Sequence, residues 1–473
     1  MTLRIDAGGT ERYCDGLTRR SFVQLGVAGM ASLGLADMLR ARALSASASS
    51  PIGAADGSKK PPSGSKKSVI LIWLDGGPSH LDLYDLKPEA PAEIRGIWRP
   101  IRTNIPGFEI SELFPKQAQI ADKFSIVRSL YHGTGDHFAG GHRMLTSKEM
   151  GVNGLNQSGR FPSIGSIIAR ERGANRRGMP PYVAVPIAAS IGLVPGYFGG
   201  NWLGAQYDPF QTGGDPNAAA FRVQNLDLVA GLSISRLEDR RSLMRHLDRV
   251  PRTVDAIGKF ATLDEFDRDA FEFVSGKEAR AAFSIDREDP KTRKSYGRNT
   301  WGQSTLLARR LVESGATFVT VHLGGWDHHW NLQPGMEHNL PIVDTLIAAL
   351  FCDLAERGLL DTTLVCLCGE FSRTPRMNDG GNGGPPRSMG TPGRDHWGDA
   401  MFCLLGGGGI RGGQIVGSTD AKGYRPHTRA MKPQSIHATI YKCLGIDPAL
   451  KLFDPQSRPT PVLEDPTPIG ELI

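Results

Sequence analysis

The sequence predicts an α/β fold with a central, mostly parallel β-sheet flanked by helices. Three observations point there. Short apolar runs at 68–74 (SVILIWL), 317–323 (TFVTVHL) and 361–368 (DTTLVCLC) lack polar alternation, as strands buried on both faces do. Each run ends in a glycine-bearing turn with a carboxylate: Asp75-Gly76-Gly77, the stretch from Gly324 to Asp327, and Gly369-Glu370. Segments with helical spacing, 300–314 and 336–357, alternate with the later runs. In open sheets of this kind, chemistry gathers at the carboxyl ends of the strands.

The 473 residues suffice for one large domain, and 40% hydrophobic content provides its core. The net charge of +6 is small for this length, and part of it lies in the first residues and at 59–67, so no nucleic-acid partner is expected. Of the six cysteines, Cys14 precedes an apolar leader, and the other five lie in or beside apolar segments as buried thiols do.

Taken in order, residues 1–45 read as an export signal: the pair Arg19-Arg20 with Phe22, a weakly apolar core, then small residues. The arginine pair resembles a twin-arginine signal, which implies the twin-arginine machinery as partner and a periplasmic or other extracytoplasmic location. Residues 46–67 are a Ser/Gly/Pro/Lys linker, expected to be disordered, and 68–473 a single domain. After the strand at 68–74, Asp75 either caps a helix or faces a cation, and His80, Asp82 and Asp85 follow on what reads as a solvated loop. A strand at 124–130 leads to the polar segment HGTGDHFAGGHRMLTS (132–147). A helix starting near Phe138 would turn its N-terminus, with Thr134, Asp136 and His137, towards the same crevice, whereas His137 and His142 are about 140° apart around it. Residues 151–299 read as loops and insertions, with amphipathic helices at 235–250 and 267–283 and a solvated loop at 287–298. The later strands end at Asp327, His328 and His329 and at Glu370. A flexible lid candidate at 377–393 precedes Arg394, Asp395 and His396, then come a strand at 400–405 and a helix at 435–444.

The strand-end groups Asp75, Asp327, His329 (or His328), Glu370 and His396, with Asp395 and His137 as further candidates, mix hard oxygens with imidazoles. That set suits one or two divalent ions, zinc, manganese or iron. Such ions activate water and clamp the oxygens of a phosphoryl or sulfuryl group, whose remaining oxygens Arg373 and Arg394 would hold.

The stretches IWLDGGPSHLD (72–82), GGWDHHWN (324–331), GEFSRTP (369–375) and GRDHWGD (393–399) resemble the secreted bacterial family called domain of unknown function 1501, within the alkaline phosphatase/sulfatase superfamily. The resemblance implies that superfamily's fold. The family's central motif is Gly-Trp-Asp-Thr-His, so Asp327 and His329 match it and His328 takes the threonine position. Against the wider superfamily, Asp75 resembles the first metal-binding aspartate. Glu370 stands for a second aspartate, Phe371 for its polar neighbour, and His396 resembles a late histidine ligand. The nucleophile departs from the pattern: His137 falls in the slot for Cys, Ser or Thr, and Gly141 where the sulfatase arginine would be. The resemblance implies the fold and a metal site but not ester hydrolysis through the usual nucleophile; the first expectation is an exported, metal-dependent hydrolase-like protein acting on a small-molecule or polymer-borne phosphate or sulfate ester. His137 would lie near the reacting group as a metal ligand or an unusual nucleophile. The rival expectation is a non-catalytic binding or assembly protein on the same fold; a metal-dependent isomerase or transferase is a third.

Overall fold

The computed structural model describes residues 66–149, 161–223, 276–379 and 391–473, together with Leu226, Asp239, Glu272 and Phe273. The leader, most of the linker, most of the helix expected at 235–250 and the centre of 377–393 lie outside the described residues. By compactness the chain divides into two units, one formed by residues 59–450 and 461–473. The described part of the other, 451–460, is a short turn in which Asp454 Oδ1 accepts the Arg458 amide at 2.9 Å.

Eight strands form one sheet: β1 (Ser68–Asp75), β2 (Phe124–Leu130), β3 (Tyr182–Val185), β4 (Phe210–Gln211), β5 (Phe318–Gly324), β6 (Thr363–Cys368), β7 (Met401–Gly407) and β8 (Ile415–Val416). Their order is β8-β2-β7-β6-β1-β5-β3-β4, and β7 alone runs antiparallel to its neighbours. The apolar run of β1 is buried along its whole length, as a central parallel strand requires. Alternate residues serve opposite faces. Ile70, Ile72 and Leu74 join the core with Leu306 and Leu307 of helix α3 (Thr300–Ser314) and Val343 and Ile347 of helix α4 (Leu332–Glu356). On the other face, Val69, Leu71, Cys366 and Cys368 meet Met144 of α1 (His137–Thr146), Ile164 of α2 (Ile164–Arg172) and Ile436 of α5 (Pro433–Leu444). Cys366, Cys368 and Cys403 cluster in that layer, with Cys366 Sγ 3.6 Å from Cys403 Sγ.

Helix α4 is long and apolar enough, by length and composition, to cross a membrane. It is a core helix: Leu340, Val343, Leu346, Ile347 and Leu350 are wholly buried, and Asp344 accepts the backbone amides of Lys116 and Gln117 at 3.1 and 2.8 Å. Two readings need correction. Strand β3 lies in the stretch expected to be loops and insertions, where Pro180-Pro181 and Pro186 at its two ends disguise it. Residues Pro290–Ser295 form a helix where a solvated loop was expected, because Pro290 takes the first turn and Asp289 Oδ1 caps the Lys291 amide at 2.9 Å.

Candidate metal centre

Parallel pairing carries the strand-end groups to one edge. Asp75 stands opposite Gly324 and Trp73 opposite Cys368, so the turns bearing Asp327 and Glu370 emerge level with Asp75. The loop after β5 is pinned from behind: Trp326 is fully buried and stacks on Trp301 with ring centres 5.8 Å apart, while Asn339 of α4 donates to the Gly325 carbonyl at 3.2 Å. Gly76, at φ 119°, permits the close approach of the two turns, since a Cβ there would lie 2.6 Å from the Asp327 amide nitrogen. Its own amide donates to Glu370 Oε1 at 2.8 Å.

Asp327 is the hub. Its Oδ1 lies 3.1 Å from both His329 Nε2 and His396 Nε2, which are 2.9 Å from each other. His329 Nδ1 pairs with Asp395 Oδ1 at 2.9 Å and His396 Nδ1 with the Gly135 carbonyl at 2.6 Å. With each Nδ1–H so engaged, both Nε2 atoms turn their lone pairs on an ionised carboxylate, and a proton or a metal ion must lie between them. His137, the first residue of α1, reaches from the other side, with Nε2 3.4 Å from Asp327 Oδ2 and Nδ1 2.7 Å from Glu370 Oε1. His137, Asp327 and His396 each bring a ligand atom within 4.8 Å of the other two. Phe371 walls the site, its ring 4.7 Å from that of His137 and 4.5 Å from that of His396.

Asp75 and Glu370 are buried at the inner end, and each keeps one oxygen, Asp75 Oδ1 and Glu370 Oε2, without a hydrogen-bond partner. Asp75 Oδ2 accepts the Ile191 amide at 2.8 Å and lies 3.1 Å from His322 Nε2. Buried carboxylate oxygens lacking donors, beside an imidazole, fit a cation.

The structure thus gathers His137, Asp327, His329, Glu370 and His396 at one edge of the sheet, with Asp75 buried at its inner end. The two arginines differ from the expectation. Arg394 is fully buried away from it: Nε donates to Asp82 Oδ2 at 2.9 Å, Nη1 to the Thr374 and Pro375 carbonyls, and Nη2 to those of Ile94 and Arg95. No room is left there for a substrate oxygen. Arg373 does reach the centre, but donates inward to the Gly77, Gly76 and Arg394 carbonyls and to Asp327 Oδ1 at 2.5 Å. It braces the hub. His80, Asp82 and Asp85 are buried structural groups, not a solvated loop: His80 bonds Ser372 and Gly423, Asp82 pairs with Arg394, and Asp85 accepts from Thr419. Asp136 is the N-cap of α1, accepting the Ala139 amide at 2.8 Å, and His142 turns to the Lys148 carbonyl. His328 packs towards Gly335, where a Cβ would meet its ring. His322 was missed, because one imidazole inside TFVTVHL gives no signal apart from its strand.

Burial opposes the charge on Asp327, yet the surrounding imidazoles of His137, His329 and His396 and the nearby Arg373 hold it well below the usual carboxylate range. His137 is likewise penalised by burial, but its bonds to Asp327 and Glu370 prevail and push it up to about 9. The bond to Asp327 raises His329, whereas burial lowers His396 and raises Glu370. His137 thus turns one ring nitrogen towards each of the two carboxylates.

Fold and site together define an α/β protein with a carboxylate–imidazole centre at the carboxyl edge of its sheet. The model of the family described as "Protein of unknown function (DUF1501)" matches residues 66–473, and the chain belongs to that family. No curated protein matches it by sequence. Similar solved structures include the lipoteichoic acid synthase LtaP from Listeria monocytogenes, at 10% identity and TM-score 0.38, covering 90% of this chain and 81% of that one. The phosphonate monoester hydrolase SpPMH from Silicibacter pomeroyi gives 12%, 0.35, 81% and 74%. The C-terminal periplasmic domain of EcEptC from Escherichia coli, in complex with Zn, gives 11%, 0.34, 88% and 94%.

Proposed function

We propose that the protein is an exported, metal-dependent hydrolase acting on a phosphate or sulfate ester. One observation carries the reading: three donors, Asp327 Oδ1, His329 Nε2 and His396 Nε2, stand 2.9 to 3.1 Å apart. Tetrahedral ligand bonds of about 2.0–2.2 Å put neighbouring donors roughly 3.3–3.6 Å apart, so a spread of a few tenths of an ångström would let this trio take a single ion such as zinc. Asp75 and Glu370, with His322 beside them, offer a second cation position, and zinc, manganese or iron all accept this mixture of donors. A divalent ion here would polarise the ester and lower the pKa of a water.

The chain's own residues supply the rest. Asp395 and the Gly135 carbonyl fix the tautomers of His329 and His396, and Arg373 holds Asp327 in place. His137, at the N-terminus of α1, is placed to pass a proton to a departing oxygen or to bond a developing oxyanion. Phe371 keeps water from one side. The second reading, a binding or assembly protein without catalysis, is favoured by one feature: that helix terminus carries an imidazole instead of a hydroxyl or thiol. Metal analysis of purified protein by plasma mass spectrometry, followed by assays with p-nitrophenyl phosphate and sulfate, separates the two. Bound metal and a turnover that falls more than about a hundredfold in Asp327→Asn support the hydrolase. Bound metal with no turnover on a broad ester panel supports the binding protein, and metal-free protein refutes the centre itself.

A further inference from the structure

The loop after β3 touches the candidate centre on one side and is apolar on the other. Residues Ser190 and Leu193 close it as a two-residue hairpin, each amide donating to the other's carbonyl at 2.8 and 2.9 Å. The two turn residues, Ile191 and Gly192, have φ of 47° and 73°. Glycine suits that geometry; a β-branched isoleucine does not. Strain of this kind persists where the surroundings hold it, and here the Ile191 amide donates to Asp75 Oδ2 at 2.8 Å.

The same loop carries four of the five large apolar side chains that are exposed among the described residues. Ile187, Ile191, Leu193 and Val194 are 38, 39, 51 and 68% exposed, and the fifth, Phe453, belongs to the other unit. Scattered exposed leucines need no explanation, but four within eight residues of chain, tied to a buried carboxylate of the site, form a patch. Val194 also lines a cavity of about 280 Å³ whose wall mixes Ala188, Pro195 and Phe198 with the polar Asn201, Asp208 and Gln211. That volume is close to the smaller ligand clefts.

We propose that the exposed side chains of this loop, with the apolar wall of the cavity beside Val194, receive the apolar part of the substrate, so that the site takes amphiphilic esters: a tetrahedral oxyanion at the metal centre joined to a hydrocarbon chain. The proposal rests on the hydrolase reading and gives it a substrate class. The strained turn serves both halves, its amide orienting Asp75 and its side chains meeting the chain. An apolar occupant covers the exposed side chains, while the anion meets the cation-binding groups.

The test is calorimetric titration of the full chain, in zinc-containing buffer, with methylphosphonate and octylphosphonate, neither of which is hydrolysed. Octylphosphonate should bind at least about tenfold more tightly, which burial of two methylenes already supplies. In the double variant Leu193→Ser/Val194→Ser the octyl-to-methyl ratio should fall towards one. Ile191→Gly keeps the amide, frees the turn of strain and should lower the ratio with no loss of thermal midpoint. Equal binding of the two phosphonates by the unaltered protein overturns the proposal, as does a ratio unmoved by the double variant. Octylphosphonate affinity undiminished in Asp327→Asn would mean simple adsorption and overturns it too. Binding of neither phosphonate is a separate result that refutes the oxyanion reading of the centre, and the apolar rim with it.

Discussion

Replacing His329 by alanine removes a donor 3.1 Å from Asp327 and 2.9 Å from His396, and is expected to weaken metal binding by about a hundredfold or more. The same change at His328, whose ring packs away towards Gly335, should leave metal content unchanged while costing about 1–3 kcal/mol of stability. Metal analysis and urea denaturation of the two variants check this. Arg394 invites a third substitution. Its guanidinium and Asp82 are both wholly buried, so Arg394→Ala leaves a carboxylate without its cation and several carbonyls without donors. A loss of about 3–5 kcal/mol is expected in urea, and Arg394→Lys should recover little of it, because an ammonium cannot reach all these carbonyls at once. The type and position of Arg394 made it a plausible anion clamp. What occupies it are mostly main-chain carbonyls from residues 94–95 and 374–375, and no residue pattern marks those in advance.

At the scale of elements, α1 and α5 meet through His437, whose Nε2 donates to the Met144 carbonyl at 2.8 Å while Nδ1 accepts from Ser147 Oγ at 2.7 Å. Burial pushes its pKa down to about 4. The unfolded chain therefore takes up this proton first, near the usual 6.5, so the stability from neutral His437 is intact above that value and is lost as pH falls towards 4. The loss amounts to about 3 kcal/mol at most. Burial lowers His142 to about 4 as well, adding to the same window. Urea midpoints measured from pH 7 to 4 should decline, and His437→Gln, which can still donate to Met144, should flatten part of that decline. Strands with long apolar runs and no proline were legible: 124–130 coincides with β2, and 68–74, 317–323 and 361–368 differ from β1, β5 and β6 by one or two residues at an end. Strand β3 was not legible, because four residues between prolines offer neither length nor alternation. Helix α3 was read at its observed bounds, where the structure shows Asn299 Oδ1 capping the Gly302 amide and Gly315 ending the helix, whereas α4 begins four residues before the expected start because Asn331 adopts φ 53° and turns the chain straight into it.

For the whole molecule, the acids and histidines of the centre were legible as strand-end residue types, though their grouping depended on a register that only the folded sheet supplies. His322 illustrates the difference: it becomes meaningful once β5 lies beside β1 and brings it within 3.1 Å of Asp75. The proposed export route has its own test. Changing Arg19 and Arg20 together to lysine should leave the precursor in the cytoplasm, as cell fractionation would detect, while periplasmic accumulation of that variant would argue for a different route.

The donors of the centre come from positions 75, 137, 327, 329, 370 and 396, so an unravelled chain cannot keep them together. A metal held there would therefore act by mass action on the native state alone, and free ion at a hundred times its dissociation constant should add about 2.7 kcal/mol. A calorimeter would register this as a melting temperature that climbs with zinc or manganese and falls back with a chelator. That gives a way to rank candidate ions before any substrate has been found.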